Sequence, residues 1–471
     1  MGTDFQRLAA RFVGAAVGAA SRDLVPLIFS SSVSVRSPDA SNLWHSGYRQ
    51  RHLFKLFFQL LIASVTGLLK GLMRTLRPPR FGYGLYGTIK DSILIVTSEC
   101  GYAAAGDSYK TKYVDTDDDD AMLVVGPVQQ CGSRAKLFIP ISALASLRIV
   151  CIMTVCGIYA FFKIRGSIVS RALILLEWYS WVFSLQWQRN LYLQRILNEI
   201  IEHRRIKKIG CIHEMHSYAR VVWHIASKHD IRTYTVQHAS VSSGKLWYFS
   251  YPEETLQGLA LPDVFYAFEE RVIRLLKPYF PKTTFLMGCS CRYSQWKSSR
   301  PEPAGKDGHY YLFVSGLARF DNEAVIGSLR DLLKKSNVSL PLRLRMHSHA
   351  EPGRELRRWV DQSRSSGAIE VSGDTSLRSD IAGAVSVIGM STTVLEEALL
   401  IGRPVVQLNH PDYLSYIDLD GMSGVMHVAY DELTDELLRS FDDPVKQDEA
   451  KERFGLTHST VDYKKLFYPA A

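Results

Sequence analysis

The residues from Val385 to His410, VSVIGMSTTVLEEALLIGRPVVQLNH, constrain the fold more than any other part of the chain. A short apolar run ends at Gly389, and an apolar segment of helical length follows it. Gly402 and Pro404 then precede a second apolar run. Glycine turns the backbone at low steric cost and suits a helix C-cap, and proline stops a helix. The pattern predicts a strand, a helix and a second strand.

The predicted helix begins among three hydroxyl residues. Thr393 and Glu396 have the spacing of a capping box, with Ser391 and Thr392 directly before them. The start of a helix exposes backbone N–H groups and carries partial positive charge, which suits a phosphate group. An ordinary strand–helix–strand unit, in which these hydroxyls only cap the helix, would have the same pattern. Both interpretations stay open at this point.

Composition indicates a globular protein with an anionic partner. A chain of 471 residues predicts two or three domains, and a net charge of +9 favours nucleic acid, an anionic membrane or a phosphorylated donor. We rank nucleic acid last, because the chain has no RNA-binding signature and no zinc-finger spacing. The 7 cysteines are odd in number and have no CxxC spacing, which is typical of a reduced, cytosolic chain without a structural metal.

Strands alternate with helices in two parts of the chain, on either side of a polar stretch at 296–308. This alternation predicts an α/β fold with two doubly wound, Rossmann-like domains. The predicted division is a helical, membrane-associated region at 1–85, a Rossmann-like domain at 86–300 with a two-helix insertion at 144–205, and a second Rossmann-like domain at 301–471.

Two apolar segments have basic ends. Leu53–Leu76 is uncharged between Lys55 and Lys70, and Lys70, Arg74, Arg77 and Arg80 follow that part. The second run, at 146–162, has Arg148, Lys163 and Arg165 as its basic residues and is uncharged between Arg148 and Lys163. The uncharged part of each segment is shorter than the roughly 20 residues that a spanning helix needs. An apolar helix with a basic end is typical of an interfacial helix on anionic lipid. A core helix or a packed N-terminal hairpin remains the alternative for the first segment. After the second segment, Trp178, Trp181 and Trp187 would suit a membrane–water boundary, but such residues more commonly fill an ordinary core.

Asp117 to Asp120 form an acidic run that could in principle hold a metal ion. No other ligand pattern accompanies the run, so we interpret it as a solvated loop and expect no metal site.

Four polar clusters follow predicted strands. In open α/β sheets, ligands bind beyond the carboxyl ends of the strands, so these clusters are candidate site residues. A lone histidine is usually structural, but four clusters at one kind of position favour a site. The clusters are His213-Glu214-Met215-His216, Gln237-His238-Ala239, Met346-His347-Ser348-His349 and Gly389 to Thr393.

The segment 385–410 resembles the donor-binding region of GT-B glycosyltransferases, and is most similar to bacterial capsule, sialic acid and Kdo transferases and their glycerophosphate-transferring relatives. Those families share hydroxyl residues at a helix start and a Glu-Ala-x-x-x-Gly-x-Pro continuation, matched here from Glu397 to Pro404. The resemblance implies a GT-B fold with a cleft between its domains. It also implies that Ser391, Thr392 and Thr393 hold the donor phosphate and that Glu397 holds the ribose.

The resemblance also implies a phosphate-contacting histidine at the end of an upstream strand. The families have His-Pro there, whereas this chain has His347-Ser348-His349, so either histidine is a candidate and His347 is preferred. In the first domain, Glu214 is our choice for the general base that deprotonates the acceptor hydroxyl. His213, His216 and His238 compete for that role, and Glu214 could instead cap the next helix.

The sequence therefore predicts a metal-independent glycosyltransferase without a cofactor. Its donor would be a nucleotide sugar, with CMP-linked Kdo or sialic acid preferred. Its acceptor would be a surface-polysaccharide or glycolipid precursor at the cytoplasmic face of the cell membrane. A CDP-glycerol or CDP-ribitol phosphotransferase, a UDP-sugar 2-epimerase and a non-catalytic membrane scaffold with a GT-B shell remain alternatives.

Overall fold

The computed structural model describes most of the chain outside its N-terminal third. The described residues are 2–20, 53–76, 83–86, 93–96, 122–127, 136–137, 142–185, 187–211, 216–245, 248–249, 259–288, 290, 292–293, 296, 309–316, 318–335, 338–347, 352–373 and 375–457. They form two compact units. The acidic run at 117–120 and the basic residues Arg77 and Arg80 lie outside the described residues.

The first unit contains a sheet of 8 strands in the order β4-β1-β3-β2-β5-β6-β7-β8. Six neighbouring strands, β3 to β8 in that order, are parallel, and β1 pairs antiparallel with β3 and β4. The chain reverses its direction of travel across the sheet between β2 and β5. The strands are β1 (Tyr83–Tyr86), β2 (Ile93–Val96), β3 (Met122–Pro127), β4 (Lys136–Leu137), β5 (Lys208–Cys211), β6 (Arg232–Val236), β7 (Val264–Ala267) and β8 (Thr284–Met287).

Helices of the first unit form a bundle and cover the sheet. They are α1 (Gly2–Ala19), α2 (Leu53–Leu76), α3 (Ala143–Lys163), α4 (Ile168–Phe183), α5 (Gln188–His203), α6 (Ser217–Lys228) and α7 (Glu270–Leu276). The bundle of α1 to α4 has its own apolar core, in which Phe12 contacts Trp178 at 5.6 Å between ring centroids. Trp181 and Trp187 are also buried, so these tryptophans are core residues.

The two-helix insertion predicted at 144–205 is wrong in its number of helices. The structure has three helices in this segment, because the predicted long helix is interrupted between α4 and α5, where Leu185 adopts a φ of 55°. The apolar periodicity continues across this break, so the sequence pattern alone did not show it.

The second unit contains a parallel sheet of 6 strands in the order β11-β10-β9-β12-β13-β14. Numbered from the first strand of the unit, this is the order 3-2-1-4-5-6 of the dinucleotide-binding fold. The strands are β9 (Tyr310–Val314), β10 (Leu342–Arg345), β11 (Glu370–Val371), β12 (Ala384–Gly389), β13 (Val405–Asn409) and β14 (Val425–Ala429). The helices are α8 (Arg319–Lys335), α9 (Arg354–Ser365), α10 (Leu377–Ala382), α11 (Val394–Ile401), α12 (Asp435–Ser440) and α13 (Gln447–Arg453).

The predicted fold class, α/β with two Rossmann-like sheets and an N-terminal helical region, is confirmed by these elements. The predicted domain boundaries stay a prediction. Gly402 ends α11 with a φ of 88° and its N–H bonded to Ala398 and Leu399, as expected for a C-cap. β14 and α10 were not predicted from the sequence.

The structure requires glycine at position 389 for a different reason from the predicted one, which was a turn of the backbone. It ends β12 without a positive φ, so it does not supply an unusual turn conformation. A Cβ atom at this position would lie 2.9 Å from the carbonyl oxygen of Val314 and 3.0 Å from its Cγ2 atom. Glycine is therefore needed here because β9 and the end of β12 approach closely.

We expect Gly389→Ala to lower the free energy of unfolding by about 1–3 kcal/mol, since overpacking forces the two strands apart. Gly327→Ala is the matched control, because a Cβ at that site within α8 meets nothing within 4 Å. The control should raise stability by about 0.5–1 kcal/mol through its helix propensity. Denaturant unfolding of both variants measures the difference, and equal effects would contradict the packing argument.

Candidate functional site

The switch point of the second sheet lies between β9 and β12, where ligands of such sheets bind. Asp321, in the first turn of α8, joins the two loops that leave these strands. One carboxylate oxygen accepts a hydrogen bond from the N–H of Gly316 after β9, and the other accepts from the N–H of Ser391 at 2.7 Å. A single buried side chain thus sets the spacing of both loops at the predicted donor edge.

Burial raises the pKa of Asp321 from 3.8 to about 6, and the two backbone N–H donors oppose this rise. The same contact explains why residue 316 is a glycine, because a Cβ atom at this position would lie 2.9 Å from a carboxylate oxygen of Asp321. Asn322 follows and donates to the carbonyl oxygen of Ala318 at 2.8 Å. The loop after β9 is therefore held by consecutive side chains of α8.

The hydroxyl residues before α11 have separate partners. Ser391 Oγ accepts the N–H of Tyr416 at 3.0 Å, and Thr392 Oγ1 accepts the N–H of Val394 at 3.4 Å. Thr393 Oγ1 accepts from the guanidinium of Arg292 at 2.6 Å. A hydroxyl that accepts one hydrogen bond still has its own proton to donate, and the hydroxyl of Ser391 directs its proton to Ser415 Oγ at 3.4 Å. The three residues follow the carboxyl end of β12, at the switch point of the sheet, within a hydrogen-bonded loop.

The predicted capping box of Thr393 and Glu396 is wrong. Thr393 precedes α11 in a helical conformation, and its side chain makes no capping hydrogen bond. Glu396 is fully buried and accepts a hydrogen bond from the hydroxyl of Tyr293. Burial, followed by the charge of Glu396, raises the pKa of Tyr293 well above its ordinary value. Tertiary packing thus takes the glutamate away from its local partner.

Glu397, the predicted ribose ligand, lies beside a cation. Its Oε1 atom is 3.5 Å from Arg292, whose guanidinium also donates to Thr393. Arg292 therefore brings positive charge to the start of α11, where the helix itself contributes partial positive charge.

The loop after β13 completes this edge. The buried amide of Gln407 donates to the carbonyl oxygens of Met390 and Ile417 and to Ser415 Oγ. Ser242, in the segment 239–245 that belongs to this unit, donates to the carbonyl oxygen of Ser415 at 3.1 Å. These hydrogen bonds connect the loop after β12 with the loop after β13.

The predicted histidines of this unit lie after β10. His347 is exposed, two residues beyond the end of β10, and β10 neighbours β9 at the same edge. His349 lies outside the described residues. Arg345 pairs with the buried carboxylate of Asp380 and donates to the carbonyl oxygen of Thr375, so its charge is engaged there.

The structure describes two of the four residues that were predicted to act on the acceptor in the first unit. His216 follows β5, next to the switch point at β2 and β5, and His238 follows the neighbouring strand β6. Their rings come together, with centroids 5.8 Å apart. His213 and Glu214 lie outside the described residues. Gln237 has a structural role, because its Nε2 atom donates to Glu269 Oε1 at 3.3 Å and its Oε1 atom accepts the N–H of Phe268 at 3.1 Å.

Two residues of the candidate site were missed from the sequence. Asp321 had a detectable signal, because an aspartate in the first turn of a helix that follows a strand-end glycine is suited to bind backbone N–H groups. The sequence carried no comparable signal for Arg292, because this residue lies 101 residues before its hydrogen-bond partner Thr393. Among the described residues, no group of three or more His, Cys, Asp or Glu side chains could hold a metal ion.

No protein-family model and no curated protein matches the chain. Solved structures similar to it include a GtfA/B complex, with 14% identity and a TM-score of 0.35, over 60% of this chain and 59% of that one. A UDP-N-acetylglucosamine 2-epimerase from Rickettsia bellii has 13% identity and a TM-score of 0.36, over 60% of this chain and 75% of that one. The α,α-trehalose 6-phosphate synthase from Burkholderia multivorans has 9% identity and a TM-score of 0.42, over 78% and 92%.

We expect Asp321→Asn to loosen both loops, because asparagine has one acceptor oxygen and would turn an NH₂ group toward an N–H donor. The free energy of unfolding should fall by about 1–3 kcal/mol. Asp331→Asn on the same helix is the control, since Asp331 lies partly exposed beside Lys334 at 3.8 Å. A loss of equal size in the control would contradict the bridging role.

The same variant tests the raised pKa of Asp321. A group with a folded-state pKa of about 6 and an ordinary value of 3.8 contributes most stability below about pH 4. That contribution is lost as the pH rises through about 6. Between these values the free energy of unfolding should therefore fall more steeply with pH in the wild type than in Asp321→Asn. Parallel pH profiles would contradict this assignment.

Proposed function

We propose that this protein is a glycosyltransferase that uses a nucleotide-sugar donor. The observation that carries the proposal is the arrangement of the second unit at its switch point. There, the buried Asp321 carboxylate ties the loop at Gly316 to the loop at Ser391. The same position in folds with this strand order receives a nucleotide.

The donor side needs groups that stabilise a leaving phosphate. The hydroxyls of Ser391 and Thr392, the start of α11 and the nearby guanidinium of Arg292 supply protons and positive charge without a metal ion. His347 is proposed to contact the same phosphate from the end of β10, with His349 as its competitor. In this proposal Glu397 holds the ribose, at an orientation set by Arg292.

The acceptor side needs a base within reach of a hydroxyl group. The first unit offers His216 and His238 together, after neighbouring strands of its sheet. Glu214, two residues before His216, is proposed as the base, because a carboxylate placed there would lie at the carboxyl end of β5. The two histidines would then orient the acceptor hydroxyl, and His213 is the other candidate base.

The donor is proposed to be CMP-linked, carrying Kdo or sialic acid, and the acceptor a precursor of a surface polysaccharide or glycolipid. The support for this finer statement is the resemblance of the segment from Val385 to His410 to transferases of that kind. A thermal-shift comparison of CMP, CDP, UDP and GDP tests it directly. Stabilisation by CMP above the other three would support the CMP donor, and preference for UDP would replace it.

Ser391→Ala combined with Thr392→Ala should weaken binding of the preferred nucleotide by about 1–3 kcal/mol, the usual effect of losing hydrogen bonds to a charged group. Ser365→Ala with Ser366→Ala is the matched control. Those hydroxyls bond to carbonyl oxygens of their own helix, Asp361 and Ser363, at the end of α9. Calorimetric titration measures the affinities. Unchanged affinity in the first double variant, or no nucleotide binding by the wild type, would contradict the proposal.

Glu214→Gln should reduce nucleotide release from the donor sugar by about 10²–10⁴-fold, the usual range for losing a general base. Nucleotide affinity should stay close to that of the wild type, because the donor residues belong to the second unit. Near-normal turnover in this variant would move the role to His213, His216 or His238, which the corresponding alanine variants distinguish.

A further inference from the structure

Exposed apolar side chains concentrate on one part of the first unit. Of the 18 large hydrophobic residues exposed among the described part of the chain, 15 belong to α2, α3 and the first turn of α4. Only Leu286, Met287 and Leu437 lie elsewhere. Such a concentration marks a surface with a partner, because single exposed hydrophobics are otherwise scattered over a protein.

The exposed residues of α3 follow the helical repeat. Leu144, Leu147, Val155, Ile158 and Phe162 lie on one side, and Phe162 is 74% exposed. The opposite side packs inside the bundle, where Gly157 is so close to Trp178 that a Cβ would lie 2.7 Å from its ring. The helix is 21 residues long, and its part from Leu144 to Lys163 has a mean hydropathy of 2.0.

Helix α2 shows the same division. Leu60, Ser64, Gly67 and Gly71 form its buried side. Cβ atoms at Gly67 and Gly71 would meet the carbonyl oxygens of α4 residues at 2.9 and 2.0 Å. Close packing through small residues is typical of helices in lipid. On the exposed side, the hydroxyl of Thr66 donates to the carbonyl oxygen of Ile62 at 2.7 Å, which satisfies it within the helix.

The charges around these helices have one sign. The sequences 53–76 and 143–176 contain no aspartate or glutamate, and the first acidic residue beyond them, Glu177, is buried. Lys70, Arg148, Lys163 and Arg165 are exposed. In the part of α2 and α3 that the structure describes, the exposed charges are all basic, and such a surface is complementary to a bilayer with anionic headgroups.

We infer that the exposed sides of α2 and α3 form a docking face that inserts into the surface of an anionic membrane. By length and composition, one described helix could cross a bilayer, or two if α4 and α5 together counted as one bent span. The expectation that the run in α3 is too short therefore does not hold for the whole helix. Insertion from one side fits better, because α3 packs against α1 and α4 along its other side and carries the exposed Arg148 within its apolar stripe.

Docking does not depend on catalysis, so it is tested without nucleotide. The full-length protein is mixed with vesicles of phosphatidylcholine, with and without phosphatidylglycerol, and bound protein is separated by flotation. We expect binding to the vesicles that contain phosphatidylglycerol, and weaker binding at high salt. The combined variant Val155→Gln, Ile158→Gln and Phe162→Gln should lower the partition coefficient by roughly tenfold or more.

The matched control places three glutamines at exposed apolar positions outside the face: Leu286→Gln, Met287→Gln and Leu437→Gln. It should bind vesicles like the wild type. Equal binding by wild type and the α3 variant, or loss of binding in both variants, would overturn the inference.

Light scattering without lipid adds another outcome: self-association that only the α3 variant abolishes, with no vesicle binding, would make the face a contact between copies. Resistance of the cellular protein to alkaline carbonate extraction would replace docking by a spanning helix. Nucleotide binding by the wild type is expected whichever result is obtained.

Discussion

The second unit depends on one buried carboxylate. Asp321 accepts hydrogen bonds from the loops after β9 and β12, and these loops leave the two strands between which the chain changes direction. Without that side chain, the N–H groups of Gly316 and Ser391 would lose these partners, and leaving a buried donor unsatisfied is costly. Burial raises the pKa of Asp321, so this placement is itself costly. This cost of burial accompanies a fixed spacing of the loops after β9 and β12.

Around that carboxylate, the structure repeatedly replaces a local partner by a distant one. Glu396 bonds to Tyr293 instead of capping its own helix, and Thr393 accepts from Arg292. Arg292 in turn lies beside Glu397. Each of these contacts joins the start of α11 to a residue about 100 positions earlier in the chain. The start of the helix is therefore held by the tertiary structure, which keeps hydroxyl groups and a cation together. In the proposed function, this group of side chains binds the donor phosphate.

The first unit combines two kinds of packing. Its parallel sheet has an ordinary core beneath α5 and α6. Its α1–α4 bundle packs through small residues on α2 and large aromatics on α4, and leaves two apolar helix sides exposed. A soluble bundle normally turns such sides inward, because each exposed apolar side chain forgoes about 1.5–3 kcal/mol of burial energy. In the proposed docking, a bilayer would supply that burial and would bring the unit to the proposed acceptor precursor in the membrane.

The sequence by itself determined the strand–helix–strand units, the parallel character of the second sheet and of six neighbouring strands of the first, the hydroxyl residues at the start of α11 and the C-cap at Gly402. These follow from short-range sterics and periodicity, which act within a few residues. Only the tertiary structure decided that α4 and α5 are separate helices and that Gly389 is required by the neighbouring strand. It also decided that the tryptophans of α4 are buried while apolar residues of α3 are exposed. Such outcomes depend on which distant residues the order of strands and helices brings together, and hydrophobic pattern cannot distinguish a side chain that faces a core from one that faces lipid.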